Sequence, residues 1–150
     1  MIPTNEIKQN SVCPNFDFNH IIGGDVNKGG KRVTGGHSLN RGDVRISKII
    51  DEPDINGVYN AEVEIFNPIT KKWEIKVTKD GNRTTMFPKD WDDDRIKEEI
   101  KSAWESKNFT LTEDIYGKSW TGTSKSGVEI KGFINKDKTT AFPLYKEGIR

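Results

Sequence analysis

Asp92-Asp93-Asp94-Arg95-Ile96-Lys97-Glu98-Glu99-Ile100-Lys101-Ser102-Ala103-Trp104 is the stretch on which the fold class turns. Ile96, Ile100, Ala103 and Trp104 recur at three- and four-residue spacing and therefore share one face of a helix. The aspartates at its head sit where the helix dipole favours negative charge, so capping accounts for them better than a metal cluster does. On both sides of this helix the apolar period falls to two. Val44–Ile49, Val58–Phe66 and Trp73–Val77 alternate before it, separated by turn signals at Glu52-Pro53-Asp54, Asn56-Gly57 and Asn67-Pro68. In the second of these strands, Tyr59, Ala61, Val63 and Ile65 are expected on a buried face, with Val58, Asn60, Glu62 and Glu64 on the wet one. After the helix come four short runs: Phe109–Leu111, Lys118–Thr123, Val128–Ile134 and Thr139–Leu144. Turns are expected at Lys125-Ser126-Gly127 and Asn135-Lys136-Asp137. One helix between sets of strands joined by short turns predicts an α+β fold of antiparallel sheets. Trp91 and Trp104 are expected in its core.

The bulk properties agree with a folded domain. A chain of 150 residues is long enough to bury roughly two-thirds of its unfolded surface. Residues 1–150 read as one domain, with 1–15 a peripheral lead-in and Phe16 and Phe18 anchoring the segment after it. Apolar content is 32% and charged content 31%, so the core must be small and the surface heavily charged. Net charge is +1, which supplies no global field for nucleic acid. Local charge is another matter: residues 25–50 hold six Lys or Arg against two Asp. Cys13 is the only cysteine, which rules out an intrachain disulfide, and no activating neighbour marks it as a nucleophile. No signal peptide is visible, and no apolar run approaches the roughly 18 residues of a membrane span.

Both histidines fall in one window, His20-Ile21-Ile22-Gly23-Gly24-Asp25 through Gly35-Gly36-His37. Histidine is the side chain whose unperturbed pKa lies near neutrality, so a pair can supply a base and an acid at one pH. The connector between them is rich in glycine and carries Lys28, Lys31 and Arg32. Glycine in such density is costly unless the chain must bend tightly or let something approach closely. A mobile basic loop bracketed by two histidines suits cleavage of a phosphodiester.

This window resembles the histidine signature of the EndoU endoribonuclease family. Thr84-Thr85-Met86-Phe87-Pro88-Lys89-Asp90-Trp91 and Thr139-Thr140-Ala141-Phe142-Pro143 are similar to two further stretches of its bacterial branch, in the same order. The resemblance runs from about Phe18 to Pro143. It implies an EndoU-like fold in which a helical or loop N-terminal part carries the histidines. It also implies RNA cleavage that leaves a 2′,3′-cyclic phosphate, with uridine preference and single-stranded or loop RNA, such as tRNA, as substrate. The residue matching His37 would be the general base and the one matching His20 the general acid, although the reverse assignment stays open. Thr140 would help select uracil and Phe142 would pack on the nucleotide. Phe142 stands where the family usually has tyrosine, so it keeps a stacking face and lacks the phenol hydroxyl. Gly35 and Gly36 could offer backbone N–H groups to the phosphate, with Lys31, Arg32 or Arg83 as cations and Thr84 or Thr85 as further contacts. Some members use a catalytic lysine, which has no clear counterpart here: Gly81–Thr85 is the best match by order, and Lys76 and Lys79 are alternatives that each read more simply as solvated strand lysines.

Metal dependence varies across the family, so no cofactor is required by the resemblance and manganese is left open. Similar bacterial members are toxin domains of larger secreted proteins, as in contact-dependent growth inhibition. They act in the cytoplasm of a target cell and are neutralised by a cognate immunity protein; a monomer is expected. Two rivals remain: a catalytically silent RNA-binding module on the same fold, and a metal site built from His20, His37 and Asp25 or Asp43.

Overall fold

The computed structural model describes residues 14–27, 29–135 and 138–147. Most of the lead-in expected over 1–15, including Cys13, and two residues of the turn at 135–137 lie outside them. Helix α1 (Phe18–Ile22) leads into a hairpin of β1 (Gly24–Val26) and β2 (Val33–Gly35). Strands β3 (Val44–Asp51), β4 (Tyr59–Asn67) and β5 (Lys72–Ile75) form the next sheet in that order, and β6 (Thr84–Met86) also pairs with β4. Helix α2 (Asp93–Trp104) comes next. The chain then forms β7 (Thr110–Asp114), β8 (Gly117–Thr123), β9 (Glu129–Ile134) and β10 (Phe142–Pro143), arranged β10-β9-β8-β7. Every strand pair is antiparallel. The architecture is α+β with one main amphipathic helix, as the apolar periods predict.

Helix α2 starts where its aspartates can cap it. The Asp92 carboxylate accepts the Arg95 N–H at 2.8 Å, and Asp93 and Asp94 occupy the first turn. Capping is therefore their structural role, and Asp93 also holds Arg41 at 3.2 Å. Ile96, Ile100, Ala103 and Trp104 are buried against the inner face of the C-terminal sheet. There Trp104 meets Trp120 edge-on, with centroids 5.3 Å apart, and Phe109 at 4.7 Å. Such aromatic pairs add about 0.5–1.5 kcal/mol each beyond simple burial. Phe16, Ile21 and Ile22 join this core and tie the N-terminal segment to it. A second core under β3 and β4 holds Val33, Val44, Tyr59, Ala61, Val63, Ile65 and Met86.

Two expectations are corrected. Val58 is buried, because it precedes β4 and turns into the helix-side core instead of continuing the wet face. Asn60 is buried too. Its amide donates to Asp51 at 2.9 Å and its carbonyl accepts from Thr85 Oγ1 at 2.6 Å, so its polar atoms are satisfied.

Glu99 is the buried charge on α2, with its side chain 0% exposed. Burial alone would raise its pKa. Hydrogen bonds from Ser124, from the Ser126 hydroxyl and N–H, and from Arg95 outweigh that and hold the carboxyl below its ordinary range. A carboxylate with a depressed folded-state pKa stabilises the fold above its unfolded value and loses that contribution as pH falls through the folded one. Glu99→Gln should therefore cost about 1.5–3 kcal/mol at about pH 7. Urea melts should show the gap to wild type narrowing as pH falls below the ordinary carboxyl value of 4.5.

Candidate active site

His20 and His37 are brought together by backbone contacts around α1. Asp17 caps this short helix and accepts the His20 N–H at 3.3 Å. Ile21 and Ile22 point into the core, which leaves the His20 ring on the other side. The chain returns along β2 to Gly35 and Gly36, both in the left-handed region (φ +75° and +73°). A side chain on Gly35 would collide with the His20 carbonyl oxygen. With none there, the strands close up: Gly36 N–H donates to Gly23 O at 2.8 Å and His20 O at 3.1 Å, and His37 N–H donates to Ile21 O at 2.8 Å. The expected mobile loop is thus a hairpin with paired backbone, Gly24 opposite Gly35 and Val26 opposite Val33. Its short strands pack on β4, and the Val26 and Val33 side chains reach the core beneath β4.

The His37 ring is fixed by one bond. Its Nδ1 lies 2.8 Å from the carbonyl oxygen of Thr85 on β6. A carbonyl only accepts, so Nδ1 carries the proton and, in the neutral ring, Nε2 holds a free lone pair. Burial, the nearby Lys76 ammonium and His20 push the His37 pKa well below its ordinary value, against the upward pull of the Thr85 carbonyl. His37 is therefore neutral at physiological pH, with a basic nitrogen available. His20 is oriented differently: its Nδ1 faces the Asp25 carboxylate at 3.5 Å.

Both rings line a cleft of about 880 Å³ between the N-terminal hairpin, the central sheet and the outer face of the C-terminal sheet. Lys76, Lys79, Arg83 and Lys118 supply its cations. Lys76 is half-buried. Its Nζ donates to Gly35 O at 2.8 Å, and burial brings its pKa down to about 8. On the opposite wall Thr140 Oγ1 accepts the Phe133 N–H at 3.0 Å, which leaves the Thr140 hydroxyl proton as a donor. A side chain at Gly132 would collide with the Thr140 carbonyl, so this wall depends on that glycine. The Phe142 ring stacks near His37, with centroids 5.8 Å apart and planes 22° apart.

The remaining expected contacts are distributed less simply. Thr85 lines the cleft, but its hydroxyl is donated to Asn60, so its contribution is the carbonyl that holds His37. Gly36 is close by, yet its N–H is committed to Gly23 and His20 and is not offered to a ligand. Arg83 lines the cleft while bound to Asp80 at 2.9 Å and near Asp51 at 3.5 Å; the Asp80 hydrogen bond leads the causes that raise its pKa. Lys31 is exposed on the hairpin and does not line the cleft, and Arg32 donates to Val77 O at 3.2 Å. The basic run at 25–50 is spent elsewhere as well, since Arg41 pairs with Asp93 and Arg45 with Glu64. The cleft draws its cations from residues 76–118. Nothing in local charge density marks that choice, because the run is assembled only by sheet packing.

Among the described residues, Asp17, His20 and Asp25 form the group whose potential ligand atoms lie within 4.8 Å of one another. His37 and Asp43 are not part of it; Asp43 instead accepts the Gly24 N–H at 2.9 Å. Among the described residues, the rival site of His20, His37 and Asp25 or Asp43 is thus not brought together as one ligand group. Asp17 also pairs with Lys138 at 3.4 Å. Among the described residues no helix is long and apolar enough to cross a membrane.

The chain belongs to the bacterial EndoU nuclease family, whose pattern it matches over residues 15–145. It is also similar to a Bacillus cereus protein named Toxin, with 29% identity over 132 residues, covering 83% of this chain. The chain spans about a fifth of that relative, 21% of its length. No solved structure matches it.

Gly35→Ala tests the backbone arrangement. It combines a left-handed conformation with a collision against the His20 carbonyl, so stability should fall by about 1–3 kcal/mol or more. Gly42→Ala, also at positive φ (+81°) but with nothing near its missing side chain, should cost less in the same thermal melts.

Proposed function

We propose that this nuclease is an endoribonuclease that cleaves by transesterification, with His37 as general base and His20 as general acid. The observation that carries the assignment is the His37 Nδ1–Thr85 carbonyl contact, which leaves a neutral ring with a bare Nε2 in the cleft. In this scheme Nε2 takes the proton of a ribose 2′-hydroxyl. The 2′-oxygen forms a bond to phosphorus, the bond from phosphorus to the 5′-oxygen breaks, and His20 protonates the departing oxygen. The products are a 2′,3′-cyclic phosphate and a free 5′-hydroxyl. A substrate lacking the 2′-hydroxyl cannot enter this path, which is why RNA is the proposed substrate. Lys76, charged below about pH 8, stabilises the charge that builds on the phosphate. No metal is needed for any of these steps, and manganese acts at most as a stimulant.

Thr140 and Phe142 hold the base 5′ to the cut. The free hydroxyl proton of Thr140 suits a carbonyl such as those of uracil, and the Phe142 ring supplies a stacking face without a phenol. The proposal includes uridine preference in single-stranded or loop RNA, tRNA among them, and the Thr140 donor supports it. The similarity to the Bacillus cereus protein named Toxin, of which this chain spans about a fifth, supports a domain carried by a larger secreted protein. It would act as a monomer in the cytoplasm of a target cell, where a cognate immunity protein covers the cleft. The alternative is a silent RNA-binding module, favoured by the missing phenol at Phe142.

Cleavage of a mixed-sequence RNA in EDTA decides between these. His20→Ala and His37→Ala, shown to be folded by circular dichroism, should each lose about a hundred- to ten-thousand-fold in rate. Lys76→Ala should lose roughly a hundred- to a thousand-fold. Unchanged cleavage in either histidine variant would sink the mechanism, and RNA binding without cleavage would establish the silent module. The pH profile adds an independent check. Because His37 must be neutral and its pKa is lowered, the acid limb of kcat/KM should fall below the ordinary histidine value of 6.5. A limb at or above that value contradicts the assignment.

A further inference from the structure

We infer that Asn60, buried behind the cleft, is a positioning residue for both the base and a cation of the site. Through Thr85 it fixes the acceptor that sets the His37 tautomer, and through Asp51 it holds Arg83 at the cleft wall. This inference rests on the proposed ribonuclease activity, and it arises from one row of side chains across the central sheet.

Asn60 on β4 lies opposite Asp51 on β3 and opposite Thr85 on β6. Residues paired directly across a ladder project to the same face, so the three side chains form one row. The row exists because the register of β3 shifts. Ile49 pairs with Ala61 and Asp51 with Asn60, which leaves Ile50 as an extra residue between them. In an unbroken register Ile50 would stand beside Asn60 and Asp51 would point to the other face; the shift re-aims the carboxylate. Asn60 is 4% exposed, and a polar side chain buried that far destabilises the fold unless it is hydrogen-bonded. Its bonds run outward along the row. Thr85 Oγ1 donates to its carbonyl at 2.6 Å, and its amide donates to Asp51 at 2.9 Å. Asp51 in turn lies 3.5 Å from Nε of Arg83, which lines the cleft.

Strand β6 needs such a fixing. It is three residues long and is attached to the sheet through its pairing with β4. Its residues also grip His37 twice: the Thr85 carbonyl accepts the ring Nδ1–H at 2.8 Å, and the Phe87 N–H, just past the strand, donates to the His37 carbonyl at 2.9 Å. A slip of β6 against β4 would therefore carry the ring's acceptor with it. The Asn60–Thr85 bond opposes that slip at the residue whose carbonyl holds the ring. His37 also faces His20 of α1, the Lys76 ammonium and the Phe142 ring, and it is the Thr85 carbonyl that selects the tautomer. One buried amide thus ties the base at one end of the row to a cleft cation at the other.

The test separates the two ends of the row. Thr85→Val keeps the strand and the carbonyl but removes the hydroxyl that Asn60 holds. Nitrogen-15 NMR of folded Thr85→Val and Asn60→Leu should show His37 as a mixture of tautomers near neutral pH. Their kcat on RNA should fall by about ten- to a hundredfold, the loss expected of a slightly misplaced group. Thr85→Ser, which keeps the hydroxyl, should retain the single Nδ1–H tautomer and recover the rate. The double variant should lose no more than the worse single one, because both remove one contact. Asp51→Asn should leave the tautomer unchanged and raise KM severalfold, since it loosens Arg83 alone. If Asn60→Leu does not fold, the Thr85 pair decides. The positioning role is overturned if folded Thr85→Val retains the single tautomer, or if Thr85→Ser mixes the tautomers as fully as Thr85→Val. An unchanged KM in Asp51→Asn overturns the Arg83 end. Tautomers that mix in Thr85→Val, in a protein whose wild type cuts no RNA, would leave the positioning of His37 standing and refute the ribonuclease reading instead.

Discussion

One backbone hydrogen-bond arrangement holds the site together. The Gly36 N–H is shared between the carbonyls of Gly23 and His20, and the next N–H, that of His37, goes to Ile21. These bonds lay the end of β2 across α1 and set the two histidines along one cleft. The close approach needs a residue without a side chain at Gly35 and left-handed backbone at both glycines. Ile21 and Ile22 anchor the other side of the contact in the core, so the geometry is carried by burial and is not left to a surface loop.

The electrostatics follow from that placement. His37 is held neutral by burial and by the Lys76 ammonium, and Lys76 is itself brought down to about 8 by burial. Two groups that could both be cations are therefore kept different, one neutral and the other charged near neutrality. The cost of burying them is met by specific acceptors, the Thr85 carbonyl for His37 and the Gly35 carbonyl for Lys76. A near-neutral chain thus concentrates positive charge in one cleft while Asp93 and Glu64 absorb the more obvious arginines.

Much of this was legible in the chain. The period of Ile96, Ile100 and Trp104 marks α2, and alternation marks β3 and β4, because each signal comes from a face that must be buried. The β1–β2 hairpin was not legible. Its strands are three residues long and glycine-rich, and they exist because Ile65 fills the space left at Gly24 and Gly36. Lys76 read as one of two solvated strand lysines; what distinguishes it is the Gly35 carbonyl, forty-one residues away in sequence. Lys31 drew notice through local charge density, which says nothing about which way a hairpin faces.

The central claim is the protonation state of one ring, and histidine-labelled protein reports it directly. Nitrogen-15 NMR across pH should show His37 as the neutral tautomer with its proton on Nδ1 at pH 7, titrating well below 6.5. A proton on Nε2, or a titration at or above that value, would contradict the account.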